Sequence, residues 1–313
     1  MVIDEEIKQE YIPITKGATL SAPSQQSALL IDPDFVDAKE GDAQAAQRLI
    51  DKLFSEEKLA EVKGMIDPTR PTVFISMPGT SRRNQIPAVF AEFLAEKTGQ
   101  SFIDSDEHVM PLHNKKMRKL GRAERMFNPR LFKPFEDNFF DDLKAQHPNA
   151  KFIIVEDVFT TGASVNTFAR FLQKNGIPVE GIIGVNGNPD VSPTAKLISK
   201  LDEKFKKAGI AVNGKELGQE LSRSEVETMI TTSYKVPPEI LGLMQKQMGF
   251  LYDVKVNGNY DASIDLAQVT HTLADLKSAG TAQHQRDTPS VKTTEKVSTT
   301  GLLRMLKAGA GRK

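Results

Sequence analysis

The sequence predicts an α/β domain with a mainly parallel sheet and flanking helices, followed by a mostly helical region. Three observations lead there. Strand-like and helix-like segments alternate between residues 67 and 190. One of them, the start of KFIIVEDVFTTGAS (151–164), is a run of apolar, mostly β-branched residues of the kind a strand buried on both faces requires. After Val191 the strand signals give way to helical periodicity.

Bulk properties set the outer limits. The chain has 313 residues, 39% of them apolar, enough for a substantial core. Forty-one basic side chains balance forty-one acidic ones, which argues against nucleic-acid backbone as the main partner of the whole molecule. With no cysteine, disulfides, thiolate catalysis and cysteine-ligated metals are excluded. The acidic start MVIDEEIKQEYIPITKG lacks the apolar core of a signal peptide, and no window is apolar enough to span a bilayer. A cytoplasmic protein is the expectation, with no membrane partner.

Residues 1–66 read as an N-terminal extension with short helices, because Ala45, Leu49, Leu53 and Leu59 recur at helical spacing. Pro68 and Pro71 then punctuate the chain. TVFISM (72–77) is a strand and PGTSRRN (78–84) a loop. From Ile86, the positions Val89, Phe90, Phe93 and Leu94 make an amphipathic helix that Gly99 ends, and SFID (101–104) is the next strand. Residues 105–133 lack periodicity and form a long loop. A helix with Phe135, Phe139, Phe140 and Leu143 on one side precedes the apolar strand. The helix after that strand carries Val165, Phe168, Phe171 and Leu172 and stops at Asn175-Gly176. VEGIIGVNG (179–187) is a further strand, closed by Asn188-Pro189.

Residues 191–278 form the mostly helical accessory region. Ser192-Pro193 starts a helix with Leu197, Ile198, Leu201 and Phe205, Ser222 with Glu225 has the capping-box spacing, and Pro237-Pro238 opens another helix. Asn257-Gly258 marks a tight turn. Residues 279–313, poor in apolar side chains and basic at the end, read as a disordered tail.

The chemistry concentrates at KFIIVEDVFTTGAS (151–164). Ligands of parallel sheets bind beyond the carboxyl ends of the strands. Glu156 and Asp157 are expected to emerge there, ahead of the small residues Thr160, Thr161, Gly162, Ala163 and Ser164 that lead into a helix. Small residues let backbone N–H groups approach an anion, and the helix start adds unpaired N–H groups and a positive dipole end. Carboxylates just upstream suit sugar hydroxyls, so the expected ligand is a sugar 5-phosphate.

The run Ile153 to Ser164 closely resembles the signature by which type I phosphoribosyltransferases bind phosphoribosyl diphosphate (PRPP), with Phe159 bulkier than the aliphatic residue usual at its place. The resemblance covers roughly residues 67–190. It implies a Rossmann-like α/β fold and a transferase of nucleotide metabolism. Such an enzyme moves ribose 5-phosphate from PRPP to a nitrogenous base and releases pyrophosphate. Magnesium arrives on the diphosphate, and no metal is held by the protein itself. Glu156 and Asp157 would be the catalytic pair on the ribose, and Thr160 to Ser164 would hold the 5-phosphate. Gly79, Thr80, Ser81, Arg82 and Arg83 stand where the family binds pyrophosphate, with Gly79 permitting unusual backbone angles. Lys115, Lys116, Arg118, Arg122 and Arg125 lie where the family carries a mobile loop that closes over the site. Dimers are common in the family, which leaves a homodimer open.

Other constellations carry less. His108 and His113 with Asp104, Asp106 and Glu107 fit no standard metal spacing. Gly181, Gly184 and Gly187 lie within a strand, so they are not a dinucleotide fingerprint. An alternative function keeps the fold without catalysis: a regulatory protein that senses PRPP or a nucleotide and acts on nucleic acid or a protein partner through its C-terminal region.

Overall fold

The computed structural model describes residues 13–79, 82–111, 132–207 and 214–232. The chain divides into two compact units, Met1–Phe205 with Asn213–Thr231, and Lys206–Val212 with Thr232–Lys313. The second falls almost wholly outside the described residues, as do the expected turn at Asn257-Gly258 and the expected tail.

The main sheet has five strands, β1 (Lys16–Ser21), β2 (Thr72–Ser76), β3 (Ser101–Ile103), β6 (Lys151–Phe159) and β7 (Val179–Gly187). Their order is β1-β7-β6-β2-β3, and every neighbouring pair is parallel. Helices α1 (Gln26–Leu30), α2 (Pro33–Glu40), α3 (Ala43–Leu53) and α4 (Glu56–Met65) precede β2. Helix α5 (Ile86–Thr98) joins β2 to β3, α6 (Phe139–Gln146) precedes β6, and α7 (Ala163–Lys174) joins β6 to β7.

Alternating side chains of the central strands feed two separate cores, as the twofold repeat of a strand demands. Val73, Ile75, Phe152, Ile154 and Ile182 pack with Phe139, Phe140 and Leu143 of α6 and Phe168, Phe171 and Leu172 of α7. Phe74, Ile153, Val155, Ile183 and Val185 pack instead with α2 to α5, through Phe35, Leu49, Val62 and Phe90 among others. The sheet is thus covered on both faces, which is why β2 and β6 read as continuous apolar runs.

The strands and helices expected between 72 and 104 and between 151 and 187 stand where the periodicity put them. Gly99 ends α5 in the left-handed region, and Gly176, also left-handed, follows α7. Three expectations change. The N-terminal segment is not an extension to a domain that begins at residue 67. β1 pairs with β7 along Lys16 to Ser21, and α2 to α4 fill one of the two cores. The strand KGATLS escaped notice because its small and polar residues show no apolar alternation, only three of the six being buried. Phe135 is exposed and lies before α6, whose first turn starts at Phe139. The aperiodic stretch 105–133 begins and ends as structure. Strands β4 (Val109–Pro111) and β5 (Phe132–Pro134) pair antiparallel, and Phe135 N–H donates to the His108 carbonyl at 2.8 Å.

Beyond β7, the described residues form helices α8 (Ala195–Lys207), α9 (Gly214–Glu220) and α10 (Arg223–Thr232). The Ser222–Glu225 capping box forms, with the Ser222 N–H donating to Glu225 Oε2 at 2.8 Å. In the first unit these segments are tied to the α/β part. Arg170 of α7 donates to the Gln219 carbonyl at 3.0 Å, and Arg223 N–H donates to the Val191 carbonyl at 2.7 Å.

Asn186 secures the edge strand. Its buried side-chain amide donates to Ser21 Oγ at 2.8 Å and the Ala22 carbonyl at 2.6 Å. Asn186→Asp would set a carboxylate against those oxygens, and equilibrium denaturation should show a loss of about 3 kcal/mol, the cost of burying an unpaired polar or charged group.

Candidate functional site

The chain reverses direction across the sheet between β2 and β6. From β2 it moves outward to β3, and then it crosses back to β6 on the other side of β2. Such a switch point opens a crevice at the carboxyl ends of the two strands. Here β2 stops at Ser76, and the Met77 N–H to Val155 carbonyl bond, 2.8 Å, is the last backbone link. β6 continues to Phe159 beside β7, with Glu156 opposite Gly184, Val158 opposite Asn186 and Phe159 opposite Gly187. Glu156 and Asp157 therefore sit at the crevice within the strand, three and two residues short of its end, and not beyond it as expected.

The extension has a steric cause. The Phe159 ring lies against Gly184, where an added Cβ would come within 2.6 Å of it. Gly187, at φ 113, lets the Phe159 backbone approach within 2.2 Å of where a Cβ would stand. The glycines of β7 thus explain the bulky residue in the signature.

The two acids have different surroundings. Glu156 is half-buried, and its Oε1 accepts the Asp157 N–H at 3.0 Å. Asp157 is buried, paired with the Lys39 ammonium of α2 and bonded to Asn84 Nδ2 at 2.7 Å and Val158 N–H at 2.5 Å. Burial pushes its carboxyl upward. The Lys39 charge, contact with Glu156 and the Val158 N–H outweigh that and leave it below the ordinary carboxylate range. Asp157 is thus bonded to Lys39, Asn84 and the Val158 N–H, while Glu156 stands half-buried.

Lys39 and Asn84 were not found from the sequence. A signal for α2 was present: Asp32 caps it by accepting the Asp34 N–H, Pro33 follows, and Gly41 ends it at φ 122. Phe35 and Ala38 are its buried side, which leaves Lys39 at the core's rim.

The turn after β6 is built as expected. Thr160 to Gly162 are outside any helix, and α7 begins at Ala163. Gly162 precedes it at φ 70 and has no side chain to cap it, and the Ala163 N–H donates to Thr161 Oγ1 at 3.4 Å. Thr160 is exposed, while Thr161, Ala163 and Ser164 are half-buried. Gly162 is buried against Val191, whose Cγ1 would lie 2.6 Å from an added Cβ. One side of the turn is thus closed by the segment after β7.

The loop after β2 departs further from expectation. Thr80 and Ser81 lie outside the described residues, as do Lys115, Lys116, Arg118, Arg122 and Arg125. Among the described residues of the loop, Arg82 is left-handed, at φ 52, and Gly79 is not. The Gly79 N–H donates to Asp106 Oδ1 at 2.7 Å. Arg82 lies over the Phe135 ring at 4.5 Å, and Arg83 pairs with Glu40 at 3.6 Å on the surface. His108 stacks on Phe139 with ring centroids 5.1 Å apart. Among the described residues, no group of three His, Asp or Glu side chains is arranged to hold a metal ion, and no helix is long and apolar enough to cross a membrane.

No family model matches the chain. A relative described as Protein TraN of Escherichia coli is 25% identical over 182 residues, 56% of this chain. The match spans 38% of that relative's length. Among solved structures, hypoxanthine phosphoribosyltransferase of Staphylococcus aureus is similar in two crystal forms. The orthorhombic form has 14% identity and a TM-score of 0.26 over 50% of this chain and 84% of that one. The tetragonal form has 15% identity and a TM-score of 0.27 over 52% and 86%. Superposition at that level defines no shared fold, and the parallel α/β architecture is read from the sheet itself.

Replacing Lys39 with Met should destabilise the fold by about 3 kcal/mol, the low end for breaking a buried pair because Lys39 is partly solvated. The pair's contribution is complete above the unfolded aspartate pKa of about 3.9 and is lost as pH falls through the lower folded value. In Lys39→Met nothing cationic opposes burial, so the acid-unfolding midpoint should move to higher pH, read by circular dichroism.

Proposed function

We propose that the α/β unit is a binding module for a 5-phosphorylated pentose, a sugar phosphate or nucleotide, that does not turn it over. The observation that carries this reading is the start of α7. A left-handed glycine, with no side chain of its own to cap the helix, hands over to a twelve-residue helix that follows Glu156 at the switch-point crevice. Backbone N–H groups there suit a phosphate, each charge-assisted bond contributing about 1.5–3 kcal/mol. Glu156 is placed for a pentose hydroxyl. The signature at Ile153 to Ser164 supports the same ligand class.

A phosphoribosyltransferase is the second reading. It is favoured by the order Glu156-Asp157-x-x-Thr-Thr-Gly and by Arg82 and Arg83 on the loop after β2. There PRPP would bring magnesium on its diphosphate, and a base would take the ribose 5-phosphate. The bonds of Asp157 to Lys39 and Asn84 support the silent reading. Regulation of nucleic acid or a protein partner through the C-terminal region fits the silent reading, as does a homodimer.

Thermal unfolding with ribose 5-phosphate, a nucleoside monophosphate and PRPP with magnesium separates these readings. A 5-phosphate at a hundred times its Kd should add about 2.7 kcal/mol of stability, and Glu156→Gln with Ser164→Pro should remove the shift. A panel of purine and pyrimidine bases with PRPP should release no pyrophosphate. Release with one base would establish the transferase, and no shift with any 5-phosphate would end both readings.

A further inference from the structure

The turn that opens α7 is backed by a segment that is itself anchored. Val191 is buried, and its Cγ1 and Cβ would lie 2.6 and 2.7 Å from a Cβ added at Gly162, with its Cα at 3.3 Å. Gly162 therefore rests on main chain as well as side chain and has no room to shift that way. Just upstream, the Pro189 Cβ comes as close to Gly17 of β1, 2.6 Å from an added Cβ. Ser192 Oγ accepts the Ile14 N–H at 2.9 Å. The segment from Pro189 to Ser192 is thus fixed between the edge strand and the turn.

A further anchor is α10. Ser222 caps that helix, its carbonyl accepting the Glu225 and Val226 N–H groups at 3.0 Å each. Arg223 is then the first helical residue, and its N–H belongs to the set that finds no partner inside a helix. It donates instead to the Val191 carbonyl at 2.7 Å. Val226 and Met229 are buried, so the N–H is presented from a docked helix. The Arg223 guanidinium also pairs with Asp190, but both side chains are more than a third exposed, and such a pair contributes little. The backbone bond is the tie.

We infer that α10 is a positioning element of the phosphate turn, with the Arg223 amide acting through Val191 to hold Gly162 and the first amides of α7 in place. This rests on the 5-phosphate reading above and adds its regulation: affinity at the start of α7 is set in part by how firmly α10 is docked. The helices after β7 thereby act on a site built by β6 and α7.

Two variants of the whole protein separate the amide from the side chain. Arg223→Pro removes the N–H yet suits the helix, because proline is accepted at the first helical position. Arg223→Ala keeps the N–H and removes the ion pair. Each is measured by isothermal titration with ribose 5-phosphate. Without ligand, each is also measured by hydrogen exchange at the Asn166 amide, which donates to the Gly162 carbonyl at 2.9 Å. Arg223→Pro should weaken binding about tenfold and speed Asn166 exchange about tenfold, near the upper worth of one hydrogen bond, while amides of β2 and β7 keep wild-type rates. Arg223→Ala should stay within about twofold of wild type in both. Wild-type affinity and exchange in a folded Arg223→Pro would overturn the inference, as would exchange that rises equally in β2 and β7. Should Arg223→Pro not fold, Met229→Ala loosens the same docking: faster Asn166 exchange with weaker binding supports the inference, and wild-type values overturn it. Failure of the wild type to bind ribose 5-phosphate would instead end the 5-phosphate reading, and the exchange result would still decide whether α10 holds the turn.

Discussion

The burial of one carboxylate organises the site. Asp157 lies in a parallel strand with both faces covered, where a lone charge is costly, so a cation and further donors must accompany it. Lys39 comes from α2 and Asn84 from the loop after β2, so that a single side chain joins three segments far apart in the chain. The N-terminal helices are therefore part of the site's construction. They hold Asp157 buried, while Glu156 keeps a half-buried position.

Around that point, backbone economy does the shaping. Gly162 accepts the contact with Val191, while Gly184 and Gly187 accept Phe159. Each is a place where a side chain on a neighbouring element needs the room that a missing Cβ leaves. The crevice is consequently narrow in composition: small residues on one lip, and on the other an arginine-bearing loop whose first amide is already bonded to Asp106.

Much of this could be read from residue order. Apolar runs located β2, β6 and β7, because strands buried on both faces must be apolar throughout. Helical periodicity located α3 to α5 and α7, and the stop at Gly99 and the turn at Thr160 to Gly162 followed from the conformations glycine allows. What escaped was long-range. KGATLS becomes a strand because β7 offers it an edge, not because its own pattern insists on it. The pairing of Asp157 with Lys39 spans 118 positions and leaves no local trace. The same holds for the bond of Asp106 to a glycine 27 residues away.

The position of β1 also bears on how the molecule is made. Its partner strand is some 165 residues downstream, as the Ser21–Asn186 contacts record. During synthesis β1 must wait, unpaired, until just over half of the chain's length has followed it. Closing a loop of that length comes late and slowly in parallel-sheet proteins. Its small and polar composition suits that interval, since a segment with so little apolar surface offers other nascent chains little to adhere to.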